Sequence, residues 1–199
     1  RIIKKKEILV IVAHPDDETI WMGGTLLKYK DKDNYNITII TLCRKNDTNR
    51  FPRFDKACKM FNAQGYMSDL DDAEKGHYKE ISSEDIAFRI KNIIKDKKYD
   101  YLYTHGENGE YGHIRHIEIH NAINDMLKQK LLSPSKVFFF SYIKTDNNSN
   151  INPNADKLIK LEKPYFEMKK KLIKYIYGFK EESFEYESSR YMEAFDIKK

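Results

Sequence analysis

Residues 7–18 read EILVIVAHPDDE, a run of aliphatic and β-branched residues that changes abruptly to polar ones at His14. Six consecutive apolar residues without polar alternation are typical of a β-strand that is covered on both faces. Residues 19–30 then have the composition of a helix, in which Gly23 and Gly24 allow a neighbouring backbone to approach closely. The stretch therefore predicts a buried strand, a polar turn at its carboxyl end and a helix.

Similar apolar runs recur along the chain, at residues 36–43, 99–104 and 136–142. Segments that we predict to be helices separate them, at residues 54–62, from Ser82 or Ser83 to about residue 97, and at 114–130. Strands that alternate with helices of these lengths favour an α/β fold. We therefore predict one domain with a Rossmann-like, mainly parallel sheet and helices on both faces.

The pattern changes after residue 142. Residues 145–157 form an Asn-rich segment that we predict to be a loop, and residues 165–177 and 185–195 are amphipathic stretches that we predict to be helices. We thus expect residues 1–199 to form one domain, with a core at about residues 7–142 and a helical elaboration at residues 143–199.

The composition of the 199 residues excludes several classes of protein. Hydrophobic residues make up 40% and aromatic residues 13% of the chain, which is too much for a disordered protein. The 36 Lys and Arg residues exceed the 31 Asp and Glu residues by only five, so we expect a charged, solvated surface and no nucleic-acid partner. Because no apolar run approaches about 20 residues, we expect no transmembrane segment.

Two cysteines and the start of the chain bear on the compartment. Cys43 and Cys58 are too few for a disulfide scaffold, and we favour free thiols over a single bridge. The first residues do not have the pattern of a signal peptide, which favours a cytoplasmic location. Because the chain begins with Arg rather than Met, an upstream segment could have been removed.

The histidines are concentrated in two short segments. His14 precedes Asp16, Asp17 and Glu18 at the end of the first predicted strand, and four more histidines lie within residues 105–120, after a later strand. Ligands of open α/β sheets bind outside the carboxyl ends of the strands. We therefore expect the two segments to meet and to carry the chemistry.

Histidine and carboxylate ligands with an open coordination position are typical of catalytic zinc. His14 and Asp17 are three positions apart across a proline-containing turn, so both can face one point, and His116 can complete a set of two histidines and one carboxylate. Asp16 would then point elsewhere and could take a proton from water that the metal activates. His113 could stabilise the oxyanion or protonate the leaving amine.

Other interpretations of these residues stay open. His116 and His120 are four positions apart, the spacing of a zinc-binding pair on a helix, and Fe²⁺ can also occupy sites of this kind. We expect His105 to orient its loop rather than to bind a metal. The acidic residues 69–74 are expected to be solvated rather than to bind sugar, and residues 107–110 can be read as a solvated turn.

The two segments resemble the LmbE-like or PIG-L-like zinc-dependent de-N-acetylases. The first signature of that family, A-H-P-D-D-E, matches residues 13–18 completely. Its second signature, G-x-Y-G-H-P-D-H-x-x-x-H, corresponds to residues 109–120, which read GEYGHIRHIEIH. The resemblance extends over roughly residues 7–142 in the order of the predicted elements.

This resemblance implies a reaction and a ligand set. It implies that His14, Asp17 and His116 bind Zn²⁺ and that Asp16 is the general base. The reaction would be the hydrolytic removal of an N-acetyl group from an N-acetylglucosamine-type amino sugar or glycoconjugate, so that the partner is a small molecule. The rest of the substrate, the native metal and the oligomeric state stay open.

The resemblance also implies which residues contact the substrate. It implies that His113 assists at the tetrahedral intermediate and that, as in some members, Tyr111 polarises the amide carbonyl. An arginine after the second strand is expected to contact the substrate, and Arg44, Arg50 and Arg53 are the candidates.

One part of the second signature departs from the family pattern. Residues 114–115 are Ile-Arg where the family has Pro-Asp, and that aspartate normally pairs with the histidine at the His113 position. We expect Arg115 to depress the pKa of His113, because like charges disfavour protonation, and we expect Glu110 or Glu118 to replace the missing carboxylate. An alternative hypothesis is a descendant of the family that binds zinc or sugar without turnover.

Overall fold

The computed structural model describes residues 4–72 and 77–198, and strands alternate with helices through most of these ranges. The strands are β1 (Lys6–Val12), β2 (Tyr35–Cys43), β3 (Ala63–Leu70), β4 (Tyr101–Thr104), β5 (Lys136–Phe140), β6 (Tyr142–Lys144), β7 (Ser149–Ile151), β8 (Lys157–Lys160) and β9 (Met192–Ile197). The helices are α1 (Asp17–Lys32), α2 (Arg50–Met60), α3 (Ser83–Ile94), α4 (Gly109–Gly112), α5 (Ile114–Lys128), α6 (Lys163–Lys171) and α7 (Phe184–Ser188). A π-helical turn, Leu172–Ile176, extends α6.

Seven of the strands form one sheet in the order β3-β2-β1-β4-β5-β9-β8, and β6 and β7 form a separate hairpin. The pairs among the first five strands are parallel, whereas β9 is antiparallel to both β5 and β8. The predicted mainly parallel α/β sheet is therefore confirmed. None of the helices in the described ranges is long and apolar enough to cross a bilayer.

The central strand β1 carries the core on both of its faces. Val10 and its alternate neighbours pack with Trp21 of α1 and Phe54 of α2, whereas Leu9 and Ile11 pack against α3 and α5. This alternation follows from the twofold repeat of a strand. It explains why residues 8–13 are apolar without interruption, since helices cover both sides of the sheet.

The predicted helix at residues 185–195 is wrong, and with it the view that residues 143–199 are a helical elaboration. The helix α7 has five residues, and the chain then enters the sheet as β9. The polar residue Glu193 obscured the strand pattern, although it is fully buried. It accepts hydrogen bonds from the backbone N–H groups of Gly24 and Thr25, at 2.9 and 2.7 Å, which a kink of α1 at Met22 leaves free.

The strand β3 is a second element that the sequence did not reveal. Its residues, AQGYMSDL, are polar because β3 lies at the edge of the sheet, and only Met67 and Leu70 are buried. The acidic stretch at residues 69–74 thus begins inside this strand, and its residues 73–74 lie outside the described ranges.

The order of the strands determines where a ligand can bind. β1 and β4 are neighbours, and the chain leaves β1 toward β2 on one side and leaves β4 toward β5 on the other. A crevice forms at such a point, outside the carboxyl ends of the strands. His14 follows β1, Arg44 follows β2, Asp72 lies after β3 and His105 follows β4, so the polar residues of four strands meet at this crevice.

Candidate active site

The turn after β1 projects three side chains into the crevice. His14 donates its backbone N–H to a carboxylate oxygen of Asp17 at 2.8 Å, and Asp17 donates its own N–H to the carbonyl of His14 at 3.2 Å. Between them Asp16 has a φ of 145°, a conformation that non-glycine residues rarely adopt. Such backbone strain persists where surrounding contacts hold it, and here Glu18 accepts the N–H of Asp16 at 3.1 Å.

Three side chains that the sequence assigned to a metal meet at one point. Nδ1 of His14 lies 3.2 Å from Nε2 of His116, and an oxygen of Asp17 lies 3.4 and 3.3 Å from these two nitrogens. Tetrahedral zinc with bonds of about 2.0–2.1 Å requires ligand atoms about 3.3–3.4 Å apart. The donor types and their spacing therefore fit one zinc ion, and they fit Fe²⁺ by ligand chemistry.

Two other histidine and carboxylate groups lie close enough to hold an ion, but their atoms have other partners. In the group of His105, Glu110 and His116, Nε2 of His105 already accepts the N–H of Ala13 at 2.9 Å. In the group of His14, Asp72 and His113, the Nε2 atom of His14 bonds Asp72 at 2.8 Å. These contacts hold ligands in place and do not form second metal sites.

Glu110 orients the candidate ligand His116. Its carboxylate accepts Nδ1–H of His116 at 3.1 Å, Nδ1–H of His105 at 2.5 Å and the N–H of Gly106 at 2.9 Å. All of these side chains are fully buried. A carboxylate behind a ligating imidazole fixes the tautomer and the ring orientation. Residues 107–110 are therefore not simply a solvated turn. His105 bonds Glu110 of this loop, as expected for a residue that orients the loop.

Asp72 orients the candidate ligand His14 from the other side. It bonds Nε2 of His14, and its second oxygen accepts Nε–H of Arg44 at 2.7 Å. The expectation that this acidic stretch is solvated is wrong for Asp72, which is largely buried between the side chains of His14 and Arg44. A carboxylate two residues after a strand end was the available signal, and the polar pattern of β3 concealed that end.

His120 lies behind the site and not in it. Its Nδ1 donates to the carbonyl of His105 at 2.8 Å, and its Nε2 accepts from the amide of Asn124 at 2.9 Å. Both ring nitrogens are thus occupied. The structure does not bring His116 and His120 together as a pair of ligands.

Two adjacent carboxylates have pKa values that are driven apart. Burial, together with the neighbouring charge of Asp17, raises the pKa of Asp16 well above its usual range. Burial also acts to raise the pKa of Asp17, but His116 and His14 outweigh it and hold that pKa well below the usual range. Such a separation marks an ionised ligand beside a stronger base. Arg50 lies 3.5 Å from the Asp16 carboxylate and is its cationic partner.

His113 has a different environment from the one the sequence predicted. Burial, followed by the charges of His116 and His14, lowers its pKa to about 3. Arg115 is not among the causes, because its guanidinium turns toward Asp71 and Glu118. Glu110 does not replace the missing aspartate either, since it bonds His105 and His116.

Glu118 is committed to Arg115, so no carboxylate partner of His113 is present among the described residues. Nδ1 of His113 instead accepts the backbone N–H of Arg115 at 3.2 Å and caps α5. This bond leaves the proton of the neutral ring on Nε2, the nitrogen available to the crevice.

The crevice is a cleft of about 220 Å³ above the three ligand atoms. Its walls include His113, Tyr111, Arg44, Arg50 and two residues of α7, Phe184 and Glu185. The rings of Tyr111 and Phe184 pack 4.6 Å apart. The structure thus brings Arg44 and Arg50 to the cleft.

Arg53, the third candidate arginine, lies elsewhere. It donates to the side chain of Asn49 at 3.0 Å and to the carbonyl of Ile176 at 3.1 Å, and so it joins α2 to the π-helical turn. It does not line the cleft.

With this geometry established, comparison with known proteins decides the family. The PIG-L model, described as GlcNAc-PI de-N-acetylase, matches residues 9–127, the range that contains all three ligand positions. The chain belongs to the PIG-L family. This family agrees with the resemblance found in the two sequence signatures, at residues 13–18 and 109–120.

Curated relatives of this PIG-L protein include deacetylases. The chain is 26% identical over 189 residues to an uncharacterized protein of Acanthamoeba polyphaga mimivirus, covering 84% of this chain and 80% of that protein. It is 22% identical over 151 residues to a 1D-myo-inositol 2-acetamido-2-deoxy-alpha-D-glucopyranoside deacetylase of Thermobifida fusca. That match covers 59% of this chain, and the chain spans about half (52%) of the deacetylase.

Solved structures show the same fold. The N,N'-diacetylchitobiose deacetylase of Pyrococcus horikoshii has a TM-score of 0.67 at 17% identity and covers 97% of this chain and 84% of its own. The 4-carboxy-2-hydroxymuconate hydratase GalB of Pseudomonas putida has a TM-score of 0.69 at 15% identity, with 96% and 95% covered. Because this fold supports more than one reaction, the function of this PIG-L protein follows from its site and not from its fold.

Proposed function

We propose that this protein is a zinc-dependent hydrolase that removes the N-acetyl group from an N-acetylglucosamine-type amino sugar, releasing acetate and a free amine. The observation that carries the proposal is the spacing of three ligand atoms, 3.2–3.4 Å, beside a carboxylate, Asp16, that is outside the set. Membership of the PIG-L family and the deacetylases among the relatives support the same reaction.

His14, Asp17 and His116 would hold the ion. When bound, zinc supplies Lewis acidity, which polarises an amide carbonyl and lowers the pKa of water toward neutrality. The remaining chemistry belongs to the side chains around it, which have to position the amide, take up a proton and stabilise negative charge.

Asp16 is the general base. Its carboxylate takes one proton from the attacking water as the oxygen bonds to the amide carbon, and the same proton then passes to the nitrogen as the C–N bond breaks. The burial of the carboxylate strengthens it as a base, and Arg50 at 3.5 Å holds it in place.

Two donors serve the oxygen of the amide. Nε2–H of His113 and the hydroxyl of Tyr111 line the cleft and can donate to the oxyanion of the tetrahedral intermediate. His113 acts as a donor rather than as the acid, because the bond from Arg115 to Nδ1 leaves only Nε2–H available.

The cleft favours a single sugar residue. Its volume of about 220 Å³ is below the range of about 300–1,000 Å³ that is usual for drug-sized ligands. Phe184 offers an aromatic face to a pyranose ring, and Glu185 lines the same cleft, where its carboxylate can accept from sugar hydroxyls.

The alternative, a descendant that binds zinc or sugar without turnover, is based on Ile114 and Arg115 replacing the Pro-Asp of the family pattern. The Arg115 guanidinium turns away from the cleft, which argues against a direct effect of its charge on His113. The missing aspartate is not replaced within the described ranges, so acetate release is the measurement that separates the two functions.

The test is acetate release from a panel of N-acetylated sugars by the Zn²⁺-loaded protein, with and without a chelator. Asp16→Asn should keep its metal and lose about 10²–10⁴-fold in kcat, whereas Asp17→Asn should lose the metal itself. Retained turnover in Asp16→Asn would exclude Asp16 as the base. Absence of acetate release from every sugar would contradict the proposed reaction.

A further inference from the structure

Arg115 stands where the PIG-L pattern has an aspartate, and nothing in the proposed reaction uses it. Its side chain is fully buried. Nε–H and Nη2–H of Arg115 donate to the carbonyl and the carboxylate of Asp71, at 2.7 and 3.1 Å. Nη1–H donates to Glu118 at 2.6 Å. The guanidinium therefore joins the chain after β3 to the helix that carries His116.

Glu118 and Tyr78 hold the guanidinium in one orientation. Glu118 also accepts the N–H of Ile81 at 2.6 Å and the hydroxyl of Tyr78 at 3.2 Å, and the ring of Tyr78 lies 5.2 Å from the guanidinium carbon. A planar guanidinium that is bonded on two edges and packed on one face has little freedom to reorient. Arg115 is thus a rigid connection.

The residue that follows Asp71 in the chain contacts one of the candidate metal ligands. Asp72 bonds Nε2 of His14 at 2.8 Å and Nη2–H of Arg44 at 2.6 Å. It lies two residues beyond the end of β3, where the hydrogen bonds of the sheet no longer fix the backbone. The bonds from Arg115 to Asp71 fix the backbone at that point.

We propose that Arg115 is a positioning residue of the metal site. By holding Asp71 it keeps Asp72 against His14 and Arg44, and so it sets the orientation of one metal ligand and of one arginine of the cleft. The inference rests on the proposed function in that these ligands bind a metal. Carboxylates behind ligating histidines contribute about 10- to 100-fold to metal affinity.

The experiment measures the Zn²⁺ affinity of the purified apoprotein by competition with a chromogenic chelator, without substrate. Arg115→Met should weaken the affinity about 10-fold or more. Arg89→Met is the matched control, because Arg89 also joins β3 to a helix, through Asp69 and Asp85, but contacts no residue of the site. It should leave the affinity within about 2-fold of wild type. Equal affinities of Arg115→Met and wild type would overturn the proposal.

A double-mutant cycle distinguishes positioning from general loss of structure. If Arg115 acts through Asp72, the variant that carries both Arg115→Met and Asp72→Asn should bind Zn²⁺ no more weakly than Asp72→Asn alone. Additive losses would overturn the proposal. Should Arg115→Met not fold, Arg115→Lys keeps the charge but not the planar fork, and the same two outcomes apply.

The experiments also distinguish failure of the proposed hydrolase function from failure of the proposed role of Arg115. A wild-type protein that binds Zn²⁺ but releases no acetate contradicts the hydrolase and leaves the affinity test of Arg115 intact. A wild-type protein that binds no Zn²⁺ contradicts both.

Discussion

The carboxylate of Glu110 lies 3.1 Å from Nδ1 of His116, on the side of the imidazole opposite to the candidate metal position. Glu110 has a φ of 63°, and the side chain of Asn108 accepts its backbone N–H at 3.1 Å. The backbone strain at this position is thus compensated by a cap and by the three donors that converge on the carboxylate. The buried network holds the candidate metal ligand His116 with its Nε2 directed at His14 and Asp17.

Glu110→Gln tests this network. The amide would direct N–H groups at a site filled with donors, so we expect the free energy of unfolding to fall by about 1–3 kcal/mol. Zn²⁺ affinity should fall about 10- to 100-fold, because His116 loses its acceptor. Urea unfolding and chelator competition measure the two effects. The control is Glu107→Gln, an exposed carboxylate of the same loop. Wild-type affinity in Glu110→Gln would show that His116 needs no such partner.

Arg50 and Arg53 provide a matched pair on one helix. Arg50→Met removes the cation beside Asp16, and we expect kcat/KM to fall about 10- to 100-fold, the effect of losing a charged hydrogen bond of about 1.5–3 kcal/mol. Arg53→Met removes a bond to the carbonyl of Ile176 and should change stability but not kcat/KM. Steady-state kinetics on the best substrate of the panel measures both. The reverse order of effects would assign the substrate-contacting arginine to position 53.

Glu185 is expected to bind substrate without taking part in the chemistry. Glu185→Gln should therefore raise KM about 10-fold with kcat nearly unchanged, the signature of an interaction that the ground state and the transition state share. Glu187→Gln is the control, since Glu187 lies on the same helix but is exposed and contacts Asn148. An unchanged KM in Glu185→Gln would show that Glu185 of α7 does not contact the substrate.

The buried pair of Lys169 and Glu193 should respond unequally to mutation. Glu193→Ala leaves the N–H groups of Gly24 and Thr25 and the ammonium of Lys169 without their acceptor, and we expect a loss of about 3–5 kcal/mol in the free energy of unfolding. Lys169→Met leaves Glu193 with its N–H donors and should lower the free energy of unfolding by less. Urea unfolding of the two variants measures both losses. A larger loss in Lys169→Met would contradict the view that Glu193 mainly caps the kinked helix.

The sequence predicted the parts of the molecule whose patterns are local. The apolar run at residues 8–13 identifies the central strand because helices cover both of its faces, and the concentration of histidines identifies the crevice because parallel strands end at one edge. β9 was mistaken for a helix because its Glu193 is satisfied by a distant helix, which no local pattern records. β3 was missed because an edge strand needs few apolar residues.

The roles of Asp72 and Arg115 could not be predicted for a related reason. Each depends on contacts between segments far apart in sequence: Asp72 with His14, and Arg115 with Asp71. The departure at Arg115 was visible in the sequence. Its consequence depends on which way the side chain turns from α5, and tertiary packing decides that direction.

The measurement that tests the account most directly is the anomalous scattering of zinc in crystals of the Zn²⁺-loaded protein. We predict one peak, about 2.0–2.2 Å from Nδ1 of His14, Nε2 of His116 and a carboxylate oxygen of Asp17, with Asp16 outside the coordination sphere. A peak between His105 and Glu110, or one with Asp16 as a ligand, would contradict the account.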